Sequence, residues 1–132
     1  MFRLTFRGKV SELQPALKGI ITTVKRSSPS IHSIFVIDQE GNVSSASDLP
    51  PTSSEFPFFS SLLSIAQRIA SGFDLGEVNH VFLEGKDKSI ILMKATDKSS
   101  IVALVESNVF VPQVLVGLKM IASYLESLEE SK

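Results

Sequence analysis

The chain has 132 residues, 43% of them apolar and 20% charged, with a formal net charge of −1. That length holds one domain of ordinary size and not two, and the near-neutral balance lacks the basic surface that nucleic-acid binding needs. Cysteine is absent, which excludes disulfides, thiol catalysis and thiolate metal sites.

Phe2, Leu4 and Phe6 alternate with Arg3 and Thr5. Period two predicts a short extra strand, with a frayed terminus as the alternative. Residues 1–10 are therefore set apart as an N-terminal extension, ahead of a single domain over 11–132. The alternation of apolar and charged residues there has no apolar core of a signal peptide, and no later run reaches the ~18 apolar residues of a membrane span. The expectation is a cytoplasmic protein without direct membrane insertion.

Ser11-Glu12-Leu13-Gln14 has the spacing of a capping box, whereas Pro15 suits the first position of a helix; the first helix starts at one or the other. Leu13, Leu17, Ile20 and Val24 form its apolar stripe, and Ser27-Ser28-Pro29-Ser30 ends it. Ile34-Phe35-Val36-Ile37 is a continuous apolar run, the pattern of a central strand covered on both faces. Asp38-Gln39-Glu40-Gly41-Asn42 reads as a hairpin turn, because Gly41 takes positive φ without steric cost. Val43 to Ser47, small and polar, is its weaker partner at an edge. Leu49 to Ser54 is loop, in which Ser53 or Ser54 can cap the next helix with Glu55 near its positive end.

That helix is predicted over Glu55–Phe73. Phe59, Leu62, Leu63, Ile65, Ala66, Ile69, Ala70 and Phe73 fill one arc, and Ser60, Ser61, Ser64, Gln67, Arg68 and Ser71 fill the other. The apolar arc spans roughly 160°, against the ~100° that one core contact needs. The surplus implies either a deeply seated helix or a second contact, with another subunit. Gly72 and Gly76 bracket the helix end. Val78–Glu84, Ser89–Ala95 and Ser100–Glu106 are strand-like, and the short polar segments between them suit antiparallel hairpins. Pro112 opens a last helix with Val114, Leu118, Ile121, Leu125 and Leu128 in its stripe and Glu129, Glu130 and Lys132 as a solvated tail.

The order is helix, two strands, helix, three strands, helix, an α/β (α+β) arrangement in which five strands and flanking helices bury one core. This order, together with Phe35-Val36-Ile37-Asp38-Gln39-Glu40-Gly41-Asn42-Val43, Phe82-Leu83-Glu84-Gly85 and Val116-Gly117-Leu118, resembles the roadblock/dynein light chain (Roadblock/LC7) family from about Leu13 to Leu128. The resemblance implies a five-stranded antiparallel sheet with one helix on one face and two on the other, a profilin-like three-layer sandwich. It implies a homodimer, or a heterodimer with another roadblock protein, in which third strands pair edge to edge and second helices pack across the axis. It also implies regulation or scaffolding of a Ras-like small GTPase, or assembly of dynein-type or lysosomal-type complexes. The partner interface expected on that basis comprises Leu62, Ile65, Ala66, Ile69, Phe73, Val78, His80 and Phe82. The family has no shared catalytic residue to carry over. The stretch before Ser11 and the Pro50-Pro51 loop exceed the family pattern.

Residues with chemistry of their own are few. A zinc site needs more ligands than His32 and His80 supply; His80, mid-strand, reads as structural or interfacial, and His32, in a polar loop, as solvated. No Gly-x-Ser-x-Gly elbow occurs, and an Asx-type turn explains Asp38 beside Glu40 better than acid catalysis does. The phosphate-binding pattern Gly-x-x-x-x-Gly-Lys-Ser/Thr is absent, so the chain is not itself a GTPase. An arginine finger in trans has only Arg3, Arg7, Arg26 and Arg68 to draw on, each read as a solvated side chain. Val116 and Met120 lie outside the last helix's apolar arc and read as ordinary surface unless Phe2 or Phe6 packs there. No catalytic, cofactor or metal site is expected, and the chain is read as a protein-binding module. The alternatives are a longin-like trafficking module, suggested by the Phe2–Phe6 strand, and a small-molecule sensor domain, which needs a pocket with converging polar groups.

Overall fold

The computed structural model describes residues 2–48, 50 and 55–130, with side chains between 15 and 129 among them. The elements are α1 (Phe2–Ser27), β1 (Ile31–Asp38), β2 (Val43–Ala46), α2 (Phe56–Gly72), β3 (His80–Glu84), β4 (Lys88–Lys94), β5 (Ser99–Glu106) and α3 (Val111–Glu130). The five strands form one sheet in the order β2-β1-β5-β4-β3, and every neighbouring pair is antiparallel. The apolar β1, β5 and β4 fill the middle; the small, polar β2 and the short β3 lie at the edges.

Side chains alternate across a strand, so each central strand feeds two cores. Ile34 and Val36 of β1 join Ile91, Met93, Ile101, Ala103 and Val105 under Leu17, Ile21 and Val24 of α1 and Val114, Leu118, Ile121 and Leu125 of α3. On the other face, Phe35, Ile37, Leu92 and Val102 meet Phe56 of α2, with Phe59, Leu62 and Leu63 packed around them. The Phe35 and Phe56 rings meet edge to face, 5.5 Å apart at 81°. Two helices thus cover one face and one helix the other, as the family resemblance implies.

Two glycines allow close approaches between elements. A Cβ on Gly117 would lie 2.6 Å from Val24 Cγ1, so the missing side chain is what lets α3 approach α1. Gly41 holds φ at +88°, and a Cβ there would collide with the backbone of Pro57. The β1–β2 turn therefore sits directly against the first turn of α2.

Several expectations are corrected. Residues 2–6 belong to α1, not to an extra strand. Phe2 and Phe6 are four apart, and Val10, Leu13 and Leu17 continue at steps of four, three and four, a helical period that alternation does not sustain beyond Phe6. The first helix starts at neither Ser11 nor Pro15; it runs through Pro15, which gives up one backbone hydrogen bond. His32 is a strand residue at a bulge in the β1–β5 ladder, and its Nε2 lies 3.3 Å from Glu106 Oε1 without hydrogen-bond geometry. Glu129 is no solvated tail: its Oε2 accepts from Thr96 Oγ1 at 2.6 Å and Ser99 Oγ at 3.3 Å. Serines 53 and 54 lie outside the described residues; the N-cap position of α2 is Glu55.

Candidate functional site

Helix α2 crosses its face of the sheet from the β1–β2 turn to the entry of β3. At the start, Ser60 Oγ donates to the Asp38 carbonyl oxygen at 3.4 Å. At the end, Gln67 clamps the connector: its Oε1 accepts from the Val78 N–H at 2.9 Å, and its Nε2 donates to the Gly76 carbonyl at 3.3 Å. That bond takes Val78 out of the ladder, and β3 begins at His80 instead of Val78. The helix then stops in a left-handed turn. Asp74 holds φ at +58°, with the Leu75 N–H donating to the Ala70 carbonyl and the Asp74 N–H to the Ser71 carbonyl, the bond pattern of a Schellman cap. The left-handed position falls on Asp74 and not on Gly72, which is the last helical residue.

The helix is seated on a narrow stripe. Phe56 and Ala70 are buried, while Phe58, Ile65, Ile69 and Phe73 are 65, 55, 55 and 76% exposed. The wide apolar arc is thus not consumed by the sheet beneath it. Beyond that flank the sheet itself is uncovered. Leu83, Ile90 and Leu104 are cross-strand neighbours on one face; Leu83 is exposed and the other two are half-buried, and together they line a hollow of about 230 Å³. A second notch, of about 390 Å³, runs between α2 and the β3 entry past Ala66, Ile69, Leu75, Val78 and His80. Strand β3 bounds the patch, paired with β4 on one side and, among the described residues, with no strand on the other.

The structure divides the eight predicted interface residues. Leu62, Ile65, Ala66, Ile69 and Phe73 come together along α2, and Val78 stands beside them in the connector. His80 and Phe82 pair with Met93 and Ile91, both in the α1/α3 core, so these two side chains take the opposite face of β3. The β3 residues on the α2 face are Val81 and Leu83, opposite Leu92 and Ile90. Leu83, Ile90 and Leu104 were missed in the sequence; counting the alternation from Leu92 outward across the two hairpins finds them.

The chain's ionic interactions support this scaffold. Burial raises the Asp38 carboxyl, but hydrogen bonds from the Asn42 backbone and side chain and from the Glu40 and Gly41 amides outweigh it and hold the group below its ordinary value. Asp48 is likewise lowered, chiefly by the Lys25 ammonium at 2.8 Å, a contact that ties the end of α1 to the segment after β2. Among the described residues no group of His, Cys, Asp and Glu is arranged to hold a metal ion, and no helix is long and apolar enough to cross a membrane.

Comparison with known proteins agrees with this architecture. Of solved structures, the Roadblock/LC7 domain from Streptomyces avermitilis superposes with a TM-score of 0.74 at 18% identity, over 83% of this chain and 94% of that one. A structure described as MglB with tetrameric arrangement gives 0.75 at 14% identity, over 89% and 90%. Profilin IA of Acanthamoeba castellanii gives 0.58 at 21% identity, over 87% and 98%. At these identities the likeness is one of fold. No curated protein sequence matches. The sequence family described as the Roadblock/LC7 domain matches residues 24–105, from the end of α1 to the penultimate residue of β5, which includes the whole of α2 and β3. The chain belongs to the Roadblock/LC7 domain family.

Proposed function

We propose that this protein binds proteins without catalysing a reaction, and that it dimerises through the apolar flank of α2 and the open edge of β3 to regulate or scaffold a Ras-like small GTPase. The observation that carries the reading is the pairing of two unsatisfied surfaces side by side. Ile65, Ile69 and Phe73 are more than half exposed, next to a strand with one unpaired side. An exposed apolar patch of this kind marks a contact surface, and an unpaired strand edge is a ready template for another strand. A second copy satisfies both at once, with β3 pairing to β3 and each α2 covering the other's Leu83, Ile90 and Leu104. The tetrameric arrangement described for an MglB of this fold is consistent with self-association. Membership of the Roadblock/LC7 domain family supports the GTPase role, and action in the cytoplasm is proposed with it. The domain so used is residues 11–132, with residues 2–10 lengthening α1. The longin-like alternative loses its motive, because residues 2–6 are helical.

Sedimentation velocity tests the dimer. A stable interface buries on the order of 1,200–2,000 Å², so the wild type is expected to sediment as a dimer at micromolar concentration and Ile69→Asp as a monomer. A wild type that stays monomeric at ~100 μM, where even a weak specific complex forms, overturns the reading. For the GTPase, the tagged protein is expected to retain a Ras-like GTPase from native lysate, and Ile69→Asp to retain less.

A further inference from the structure

The polar flank of α2 faces a cleft of about 690 Å³ between that helix and the β4–β5 turn. In sequence its serines read as a solvated arc; in the fold they form a wall. Opposite them stand Lys94 and Ser100, which pair directly across β4 and β5. Each lies two residues beyond a member of the α2-side core, Leu92 and Val102, so both side chains project onto the α2 face. Leu63 and Val78 supply apolar floor. The volume falls in the ~300–1,000 Å³ range of small-molecule sites.

Charge is segregated here. Arg68, Lys94 and Lys98 line the cleft against one acid, Asp97, in a chain whose net charge is −1. Asp97 makes only a loose contact with Lys94, at 3.6 Å, and its own side chain is 98% exposed. Arg68 and Lys98 make no ion pair among the described residues. The wall is also fixed in place. Thr96 Oγ1 accepts from the Lys98 and Ser99 N–H groups at 3.1 and 3.0 Å and donates to Glu129, while Gln39 Nε2 donates to the Asp97 carbonyl at 2.6 Å. Two cations without an ion pair, a third only loosely paired, and hydroxyl donors on a hydrogen-bonded concave frame match an oxyanion with several acceptor oxygens.

We propose that this cleft binds a small molecule through a phosphoryl group, with Arg68 and Lys98 as the principal contacts and Lys94 and Ser100 completing the site. One chain builds it entirely, at the end of the sheet away from Leu83 and Ile90, and Val78 is the residue it shares with the expected dimer interface.

The test is an amide-resolved NMR titration of the full chain at low salt, with inorganic pyrophosphate and with ATP. Saturable shifts are expected at residues 64–71 and 94–100, with half-saturation at or below ~1 mM, and Arg68→Ala and Lys98→Ala are each expected to weaken binding about tenfold, the size of one charge-assisted hydrogen bond. Lys18→Ala, on α1 across the sheet, leaves it unchanged. Equal affinity for pyrophosphate and ATP assigns the site to the phosphoryl group alone; tighter ATP binding adds the Leu63–Val78 floor. Shifts that do not saturate, that ignore both cleft variants, or that arise with a polyglutamate peptide and not with pyrophosphate overturn the proposal. Repeating the titration on Ile69→Asp separates this outcome from the fate of the dimer reading.

Discussion

The two faces of the sheet are built from the same strands with the same β-branched and aliphatic residues, yet they close differently. Over one face α1 and α3 lie side by side, with Gly117 admitting Val24, and Leu118 and Ile121 of α3 and Ile34 of the sheet beneath have no exposure at all. Over the other, a single helix of 17 residues covers part of the surface and leaves Ile65, Ile69 and Phe73 in water. The first face holds the monomer together; the second has apolar surface left over after the monomer has folded. Total hydrophobicity does not separate these roles. What separates them is how many helices share a face and how closely they approach.

Substitutions on the two faces should therefore fail in different ways. Leu118→Ala, in the sealed core, is expected to lose about 3–4 kcal/mol of stability in urea denaturation, the cost of a buried leucine plus its cavity, with no change in association of the folded fraction. Gly117→Ala forces a methyl against Val24 and is expected to cost about 1–3 kcal/mol, part of it recovered in the double variant with Val24→Ala. A smaller difference appears on acidification. Asp38 has a folded pKa below its unfolded value, so the stability it contributes is fully present above about pH 4 and is lost as pH falls through the lowered folded value. Asp38→Asn should flatten that part of the urea–pH profile. Asp74→Gly relieves a left-handed backbone at a non-glycine residue and should raise stability by at most about 1 kcal/mol. Last, Ile69→Ser should leave monomer stability within about 0.5 kcal/mol while abolishing association by light scattering. Equal losses of stability in Leu118→Ala and Ile69→Ser would erase the distinction between the faces.

Much of this was legible in the sequence, for particular reasons. The run Ile34–Ile37 announces a strand buried on both sides, and the wide apolar arc of α2 announces apolar surface that its own sheet leaves exposed, because both are patterns that one element carries by itself. Residues 2–6 misled because five residues do not distinguish period two from period four, and Phe2 and Phe6 satisfy both. Side-chain direction on β3 was illegible for a different reason. His80, Phe82 and Leu83 are all plausible interface residues until the ladder fixes which of them shares a face with Leu92, and the Gln67 clamp that moves the strand start from Val78 to His80 is a contact across 11 residues. The basic cleft was invisible on the same ground, since Arg68 and Lys98 meet only when the β4–β5 turn folds back toward α2.

The Gln67 amide carries a mechanical consequence. By gripping the backbone at both Gly76 and Val78, it locks the greasy helix and the vacant strand margin into a single rigid body, so neither travels without the other. On the dimer reading proposed above, a second copy must match the ridge and the margin at one fixed offset, so the two contacts would form or fail together.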